Sequence, residues 1–189
     1  MLHTTSIRQV QRAALLLLTV LLLFACKQPV KGKNGITYKT PADYNDYIIS
    51  RQTRLIKNII TLGRVAGTHV DSAYGMLDTL AAEASRVIDE IKGMPPYRED
   101  SAFRDAAVRS FGFYKKLFNE GYKRILFIRQ QGGDETEEGS REILDITDKI
   151  KREEETLDKQ LHNAQTGFAE KYHMKMRPNT IQQEIDKQE

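Results

Sequence analysis

Cys26 is the only thiol in the 189-residue chain, and it stands where an apolar run from Ala13 to Ala25 gives way to the polar Lys27-Gln28-Pro29. A thiolate is the strongest nucleophile among the ordinary side chains, and it can be converted into a stable thioether. No other side chain near this boundary offers that reaction. The other constellation with ligand-like spacing is Glu170-Lys171-Tyr172-His173. Glu-x-x-His on a bundle helix is half of a dimetal carboxylate site, which also needs a second Glu-x-x-His and a glutamate from each of two further helices. The chain contains no second copy, and Lys171 and Lys175 would set positive charge beside a dication. Glu170 and His173 therefore read as solvated surface residues, and no metal or cofactor is expected.

The remaining catalytic patterns are equally thin. Beyond residue 25 the histidines are His69, His162 and His173, with no i, i+4 pair. There is no Gly-x-Ser-x-Gly turn of the kind that presents a nucleophilic serine. Gly132-Gly133 lacks the lysine and the preceding strand that a phosphate loop requires. No catalytic residue is assigned, and the chain reads as a non-enzyme.

Around Cys26 the pattern is more informative. Arg8 and Arg12 precede the apolar run, and Leu23-Phe24-Ala25-Cys26 closes it. This resembles the lipobox of bacterial lipoproteins, with Phe24 at a position more often small. The resemblance implies that residues 1–25 are a signal peptide, that Cys26 becomes the lipid-attachment residue, and that the protein belongs to the bacterial cell envelope, anchored to a membrane. The thirteen residues from Ala13 to Ala25 make about 20 Å of helix, short of the roughly 30 Å hydrocarbon core, so a permanent span is the weaker reading. Lys27 is not the aspartate that commonly retains such proteins at an inner membrane, which favours the outer membrane or cell surface.

Composition narrows the partners. Removing residues 1–25 takes away two of the 29 basic side chains and none of the 26 acidic ones, leaving +1. No basic stripe calls for nucleic acid. A lone cysteine excludes an intrachain disulfide, so stability has to come from packing.

The elements that would position any site are helices. Residues 26–39 carry Pro29, Gly32, Gly35 and several lysines and read as a flexible tether reaching at most about 45 Å. Thr40-Pro41-Ala42-Asp43 predicts a capped helix start, followed by a stripe at Tyr44, Ile48, Leu55, Ile59 and Leu62. Gly67 with Thr68-His69-Val70-Asp71 predicts a glycine stop and a new capping box, with a kink as the alternative. A second stripe runs through Val70, Ala73, Leu77, Leu80, Ala84, Val87 and Ile91 and stops at Gly93-Met94-Pro95-Pro96. The third starts at Asp100 or Ser101 and carries Phe103, Ala107, Phe111, Tyr114, Phe118, Ile125 and Ile128 up to Gly132-Gly133. The fourth, from Ser140 to about Met176, presents Ile143, Ile146, Ile150, Leu157, Leu161, Ala164, Phe168 and Tyr172. No strand alternation is evident. Four amphipathic helices with short connections predict an antiparallel four-helix bundle over residues 40–177, followed by a polar tail at 178–189.

Several finer features have plain readings. Lys149 to Lys159 reads as a solvated face laced by i, i+4 pairs such as Asp145 with Lys149 and Asp148 with Arg152. Tyr44, Tyr47, Tyr114 and Tyr122 read as core or core-edge rings. Gly75, Gly112, Gly121 and Gly167, costly inside helices, mark either close helix contacts or a groove.

The segments Pro95-Pro96-Tyr97, Ser101-Ala102-Phe103-Arg104-Asp105-Ala106-Ala107, Phe113-Tyr114-Lys115 and Phe168-Ala169-Glu170-Lys171-Tyr172 resemble an uncharacterised family of small helical bacterial surface lipoproteins. That resemblance implies a helical bundle on a lipid anchor, without site residues. The expected role is a membrane-anchored, non-enzymatic envelope protein that binds a protein or another envelope component. A bundle enclosing a small apolar ligand or metal is the alternative.

Overall fold

The computed structural model describes residues 29–176. Its elements are the strands β1 (Val30–Lys31) and β2 (Thr37–Tyr38), then the helices α1 (Pro41–Ala66), α2 (Val70–Lys92) and α3 (Ala102–Lys116). A π turn (Leu117–Gly121) joins α3 to α4 (Tyr122–Gln130), a 3-10 turn (Gly133–Glu135) follows, and α5 (Glu137–Lys171) completes the chain. Because α3, the π turn and α4 run on as one rod, the fold is an all-α four-helix bundle.

Pairs between neighbouring rods establish antiparallel order. From α1 to α2, Arg51 meets Glu90 and Asn58 meets Glu83. From the third rod to α5, Phe103 packs on Phe168, Lys116 bonds Glu153 and Arg124 bonds Glu142. In each series one residue number rises as its partner falls, as opposed helices require. α2 and α3 form the central pair, with α1 against α2 and α5 against α3.

The start of α1 follows the capping prediction. Thr40 Oγ1 accepts a hydrogen bond from the Asp43 amide at 3.1 Å, and Asp43 Oδ2 accepts one from the Thr40 amide at 3.0 Å. This reciprocal pair satisfies two donors that a helix N-terminus otherwise leaves open. Between α1 and α2 there is a real break at residues 67–69, but not the predicted capping box. Thr68 turns its hydroxyl back to the Val65 carbonyl, and His69 occupies the N-cap position without a side-chain bond. At α3 the cap is supplied by Asp100, whose Oδ1 accepts from the Ala102 amide at 3.1 Å.

The expected core faces are buried: Tyr44, Ile48, Leu55 and Leu62 on α1, Ala73 through Ile91 on α2, and Phe103, Ala107, Phe111 and Tyr114 on α3. Beyond the π turn the stripe slips. Ile125 is only half-buried, and Leu126 is buried beside Ile128. The bond from the Tyr122 amide to the Leu117 carbonyl spans five residues instead of four, which inserts one residue and rotates the following face.

The largest departure is at the N-terminal side. Residues 30–39 are not a flexible tether: Val30 pairs with Tyr38 and Lys31 with Thr37 in an antiparallel hairpin. Gly35, at φ 78°, supplies the left-handed turn residue. The hairpin is fixed to the bundle. Tyr38 is 1% exposed, Asn34 Nδ2 donates to the Tyr38 hydroxyl at 2.7 Å and to the Glu90 carbonyl at 3.3 Å, and the Asn34 amide donates to the Gly93 carbonyl. A side chain on Gly32 would come within 2.9 Å of that same carbonyl oxygen. Two-residue strands give too short an alternation to read, and their anchorage is supplied by α2, far away in sequence. The packed domain therefore includes the hairpin from Val30 to Tyr38, ahead of the expected start at residue 40.

At the same end, the loop after α2 makes a tight turn in which Tyr97 and Asp100 exchange both backbone hydrogen bonds. Arg98 and Glu99 take positive φ values of 50° and 70°, a conformation that costs side-chain-bearing residues free energy. Thr136 caps α5, its Oγ1 accepting from the Gly139 amide, so the acidic stretch before Ser140 contributes the first turn. The helix ends at Lys171, five residues before the predicted limit.

Candidate functional site

The N-terminal half of α5 is where the bundle is least closed. Between Gly139 and Leu161 no residue of this helix is fully buried. Ile143, Ile146, Ile150 and Leu157 are half-covered and Leu144 is 64% exposed. Opposite lies the π turn, which swings the third rod so that Gly121 faces Ile150. A Cβ at Gly121 would come within 2.9 Å of Ile150 Cδ1.

Alongside this contact an apolar groove of about 220 Å³ opens to solvent. Phe113, Leu117 and Gly121 form one wall, with Ile146 and Ile150 on the other. Its rim is charged: Lys116, Glu120 and Arg124 on the third rod, Lys149 and Glu153 on α5. Two ion pairs cross from rod to rod, Lys116 Nζ to Glu153 at 3.2 Å and the doubly bonded Arg124 guanidinium to Glu142 at 2.6 and 2.7 Å. The paired hydrogen bonds hold the Arg124 pair in fixed orientation. They raise the Arg124 pKa and lower that of Glu142.

A second polar cluster lies on the α3–α5 face and runs from the buried Ser110 and Tyr114 out to the exposed Asp158. Ser110 is 1% exposed, and its Oγ makes no hydrogen bond of good geometry, although the Tyr114 phenol is near enough to feel it. Burial pushes the Tyr114 phenol well above its usual range and Tyr122 to about 12. Nearby Glu154 and Asp158 are also raised, chiefly by loss of solvation. Neither carboxylate has an ion-pair partner among the described residues. The cluster could hold protons, but it lacks a nucleophile paired with a base.

The sequence-predicted positions are scattered. Cys26 lies outside the described residues. Glu170 and His173 are exposed past or near the end of α5, and His69 and His162 are exposed elsewhere. Among the described residues no three His, Cys, Asp or Glu side chains converge as a metal site. Tyr44 is fully buried and donates to the Pro95 carbonyl at 2.9 Å. Tyr47 sits at the core edge with the Arg51 guanidinium 3.5 Å over its ring. Of the four helix glycines Gly75, Gly112, Gly121 and Gly167, Gly121 alone marks a close contact. Gly75, Gly112 and Gly167 have open space where a Cβ would go.

The four i, i+4 ion pairs expected from Lys149 to Lys159 do not form, although Lys149, Lys151, Arg152, Glu155 and Lys159 are exposed as anticipated. Glu137 with Arg141 is the pair of that spacing on α5, and Glu153 and Glu142 reach across to the third rod. The groove itself went unread in the sequence. Its one advance sign is Gly121, placed where the apolar stripe skips from Phe118 to Ile125.

No protein-family model matches this chain, and neither a curated protein nor a solved structure matches it. Among the described residues no helix is long and apolar enough to cross a membrane.

Proposed function

We propose that this is a lipid-anchored protein of the bacterial cell envelope whose helical domain is a non-catalytic binding module for an envelope protein. The observation that carries the anchor is Leu23-Phe24-Ala25-Cys26, a lone thiol at the end of a short apolar run. The resemblance of the Tyr97, Phe103, Phe113 and Phe168 segments to helical surface lipoproteins leads the same way. One acyl chain holds a protein only marginally, whereas the two or three carried on such a cysteine hold it essentially permanently.

The contact face in this reading is the groove beside the π turn. Leu117, Ile146 and Ile150 offer an apolar floor, and the rim mixes both charge signs. That mixture suits a protein segment inserting one or two apolar side chains between polar flanks, more than a bare hydrocarbon. π turns recur at functional sites because they cost regular hydrogen bonding and persist where the altered face is used. The alternative of an enclosed ligand draws no support from the centre of the bundle, where Leu55, Leu77, Phe111, Tyr114 and Phe118 are each at most 1% exposed.

Mass spectrometry of the purified protein tests the anchor. A mature chain beginning at an acylated Cys26 is expected, and an unmodified Cys26 or an intact Met1 refutes it. For the module, a photo-crosslinking residue at Lys149 in intact cells should give a discrete protein adduct that Ile146→Arg abolishes. An adduct equally strong with Ile146→Arg would remove the groove from the contact.

A further inference from the structure

The docked hairpin changes what an anchor at Cys26 would do, and on that basis we propose that the bundle stands on an anionic lipid surface with its hairpin end down and its groove held away from the bilayer. The inference rests on lipidation of Cys26 and goes beyond it. Only Lys27, Gln28 and Pro29 separate Cys26 from Val30, so the first fixed residue lies within about 15 Å of the lipidated one. Val30 cannot drift further, because the strand that follows is bonded to Tyr38 and Tyr38 is buried in the bundle. The hairpin is thereby held in or beside the headgroup layer.

Charge sets the orientation. From Cys26 to Ala42 the chain carries Lys27, Lys31, Lys33 and Lys39 and no carboxylate. Lys31, Lys33 and Lys39 are all exposed on the hairpin, and none enters an ion pair among the described residues. Lys92, at the adjoining end of α2, is exposed as well. Other charges at this end are largely occupied: Glu90 by Arg51, Asp105 by Arg104, Asp100 by Lys171, and Asp43 by the α1 cap. Asp46, Asp89, Glu99 and Glu170 remain as solvated carboxylates on the flanks.

The opposite end has the reverse balance. Residues 134–148 hold seven carboxylates and Arg141 as their one cation. Arg129, Arg124 and Arg141 offset Asp134, Glu142 and Glu137, leaving Glu135, Glu138, Asp145 and Asp148, with Asp71, against the exposed Arg64 and Lys149. An anionic surface attracts basic residues within about a Debye length and repels carboxylates. A molecule tethered at its basic end, with an acidic end about 36 Å away along α5 from Phe168 to Leu144, is turned upright by that field. The groove at Ile150 then rides about 27 Å above the hairpin, within reach of a partner in the aqueous space.

The test uses the full, lipidated chain in vesicles of phosphatidylcholine with or without phosphatidylglycerol. Because the native thiol is acylated, Lys33→Cys and Leu144→Cys each give a single site for a fluorophore, read against a quencher carried on lipid headgroups. On anionic vesicles the label at 33 is expected to be quenched at least about fivefold more than the label at 144, with the ratio falling in high salt. Adding Lys31→Glu and Lys39→Glu to the labelled chains should bring the ratio down at least about twofold on anionic vesicles and leave it unchanged on neutral ones. Equal quenching at 33 and 144 on anionic vesicles would overturn the proposal, as would a ratio indifferent to charge reversal. If the chain carries lipid on Cys26 and floats with vesicles yet gives either result, the orientation alone fails. An unmodified Cys26 removes both the anchor and the orientation.

Discussion

The two ends of the bundle are built on different principles. At the hairpin end, Tyr38, Tyr44, Tyr97, Phe103 and Phe168 are each at most 3% exposed and meet ring against ring at centroid separations of 5.2 to 5.5 Å. Tyr172 closes the stack over Tyr97 at 5.0 Å and donates its hydroxyl to the Tyr97 carbonyl. At the π-turn end, α5 lies on the third rod through half-covered isoleucines and charged pairs at the rim. The contrast teaches where stability is concentrated and where surface is left for contact. Edge-to-face and offset rings combine large apolar burial with directional fit, whereas ion pairs near solvent contribute little.

That comparison breaks most visibly on removal of a ring. Phe168→Ala should cost about 3 to 5 kcal/mol in urea unfolding, since it empties a site shared by Tyr44, Tyr97, Phe103 and Tyr172. Leu144→Ala, at the other end, should stay within about 0.5 kcal/mol. Comparable losses at both positions would show that α5 is held as firmly at its start as at its finish.

Ser110→Ala should stabilise the protein by about 1 kcal/mol, because it removes a buried hydroxyl that has no hydrogen bond of good geometry and improves helix propensity. A loss on this substitution would mean that the hydroxyl is satisfied. Gly75→Ala and Gly167→Ala should each add about 0.5 to 1 kcal/mol, since neither Cβ meets a neighbour within 4 Å. Gly121→Ala should fall below both, because its Cβ presses on Ile150.

The smallest effects separate the regions by pH. The Lys171 hydrogen bond holds the Asp100 carboxyl below its usual range. Its contribution is full above the unfolded-state value of about 4 and is lost as pH falls through the folded value. Partial burial holds the Glu154 carboxyl above its own. Its contribution is full below about 4 and is lost as pH rises through the folded value. Asp100→Asn should therefore lower the unfolding midpoint near pH 7 and not near pH 2. Glu154→Gln should raise it near pH 7 and lose that advantage in acid. Thermal melts across this range, read as differences from the unaltered chain, check both signs.

Helix number and order were legible because each stripe repeats every three or four residues over several turns, and Thr40-Pro41 and Gly93-Met94-Pro95-Pro96 mark boundaries through local backbone chemistry. Those features act within a few residues, so a linear reading captures them. On α2 the stripe from Ala73 to Ile91 is buried as read, while Val70 is half-buried and Ala81 and Ile88 widen the face. The hairpin escaped because its strands are two residues long and its anchorage comes from Glu90 and Gly93, on a helix more than fifty residues later. The groove escaped because it depends on one extra residue in the turn at Leu117–Gly121 and on which face α5 then presents.

Cys26 as the single thiol, the charge asymmetry between residues 27–39 and 134–148, and the all-α character are properties of the chain itself, carried by residue type and spacing. Burial of Tyr38, the shift from Ile125 to Leu126, and the choice of interhelical over i, i+4 ion pairs arose only when the rods met. Each is a competition between partners distant in sequence, and packing geometry is what ranks them.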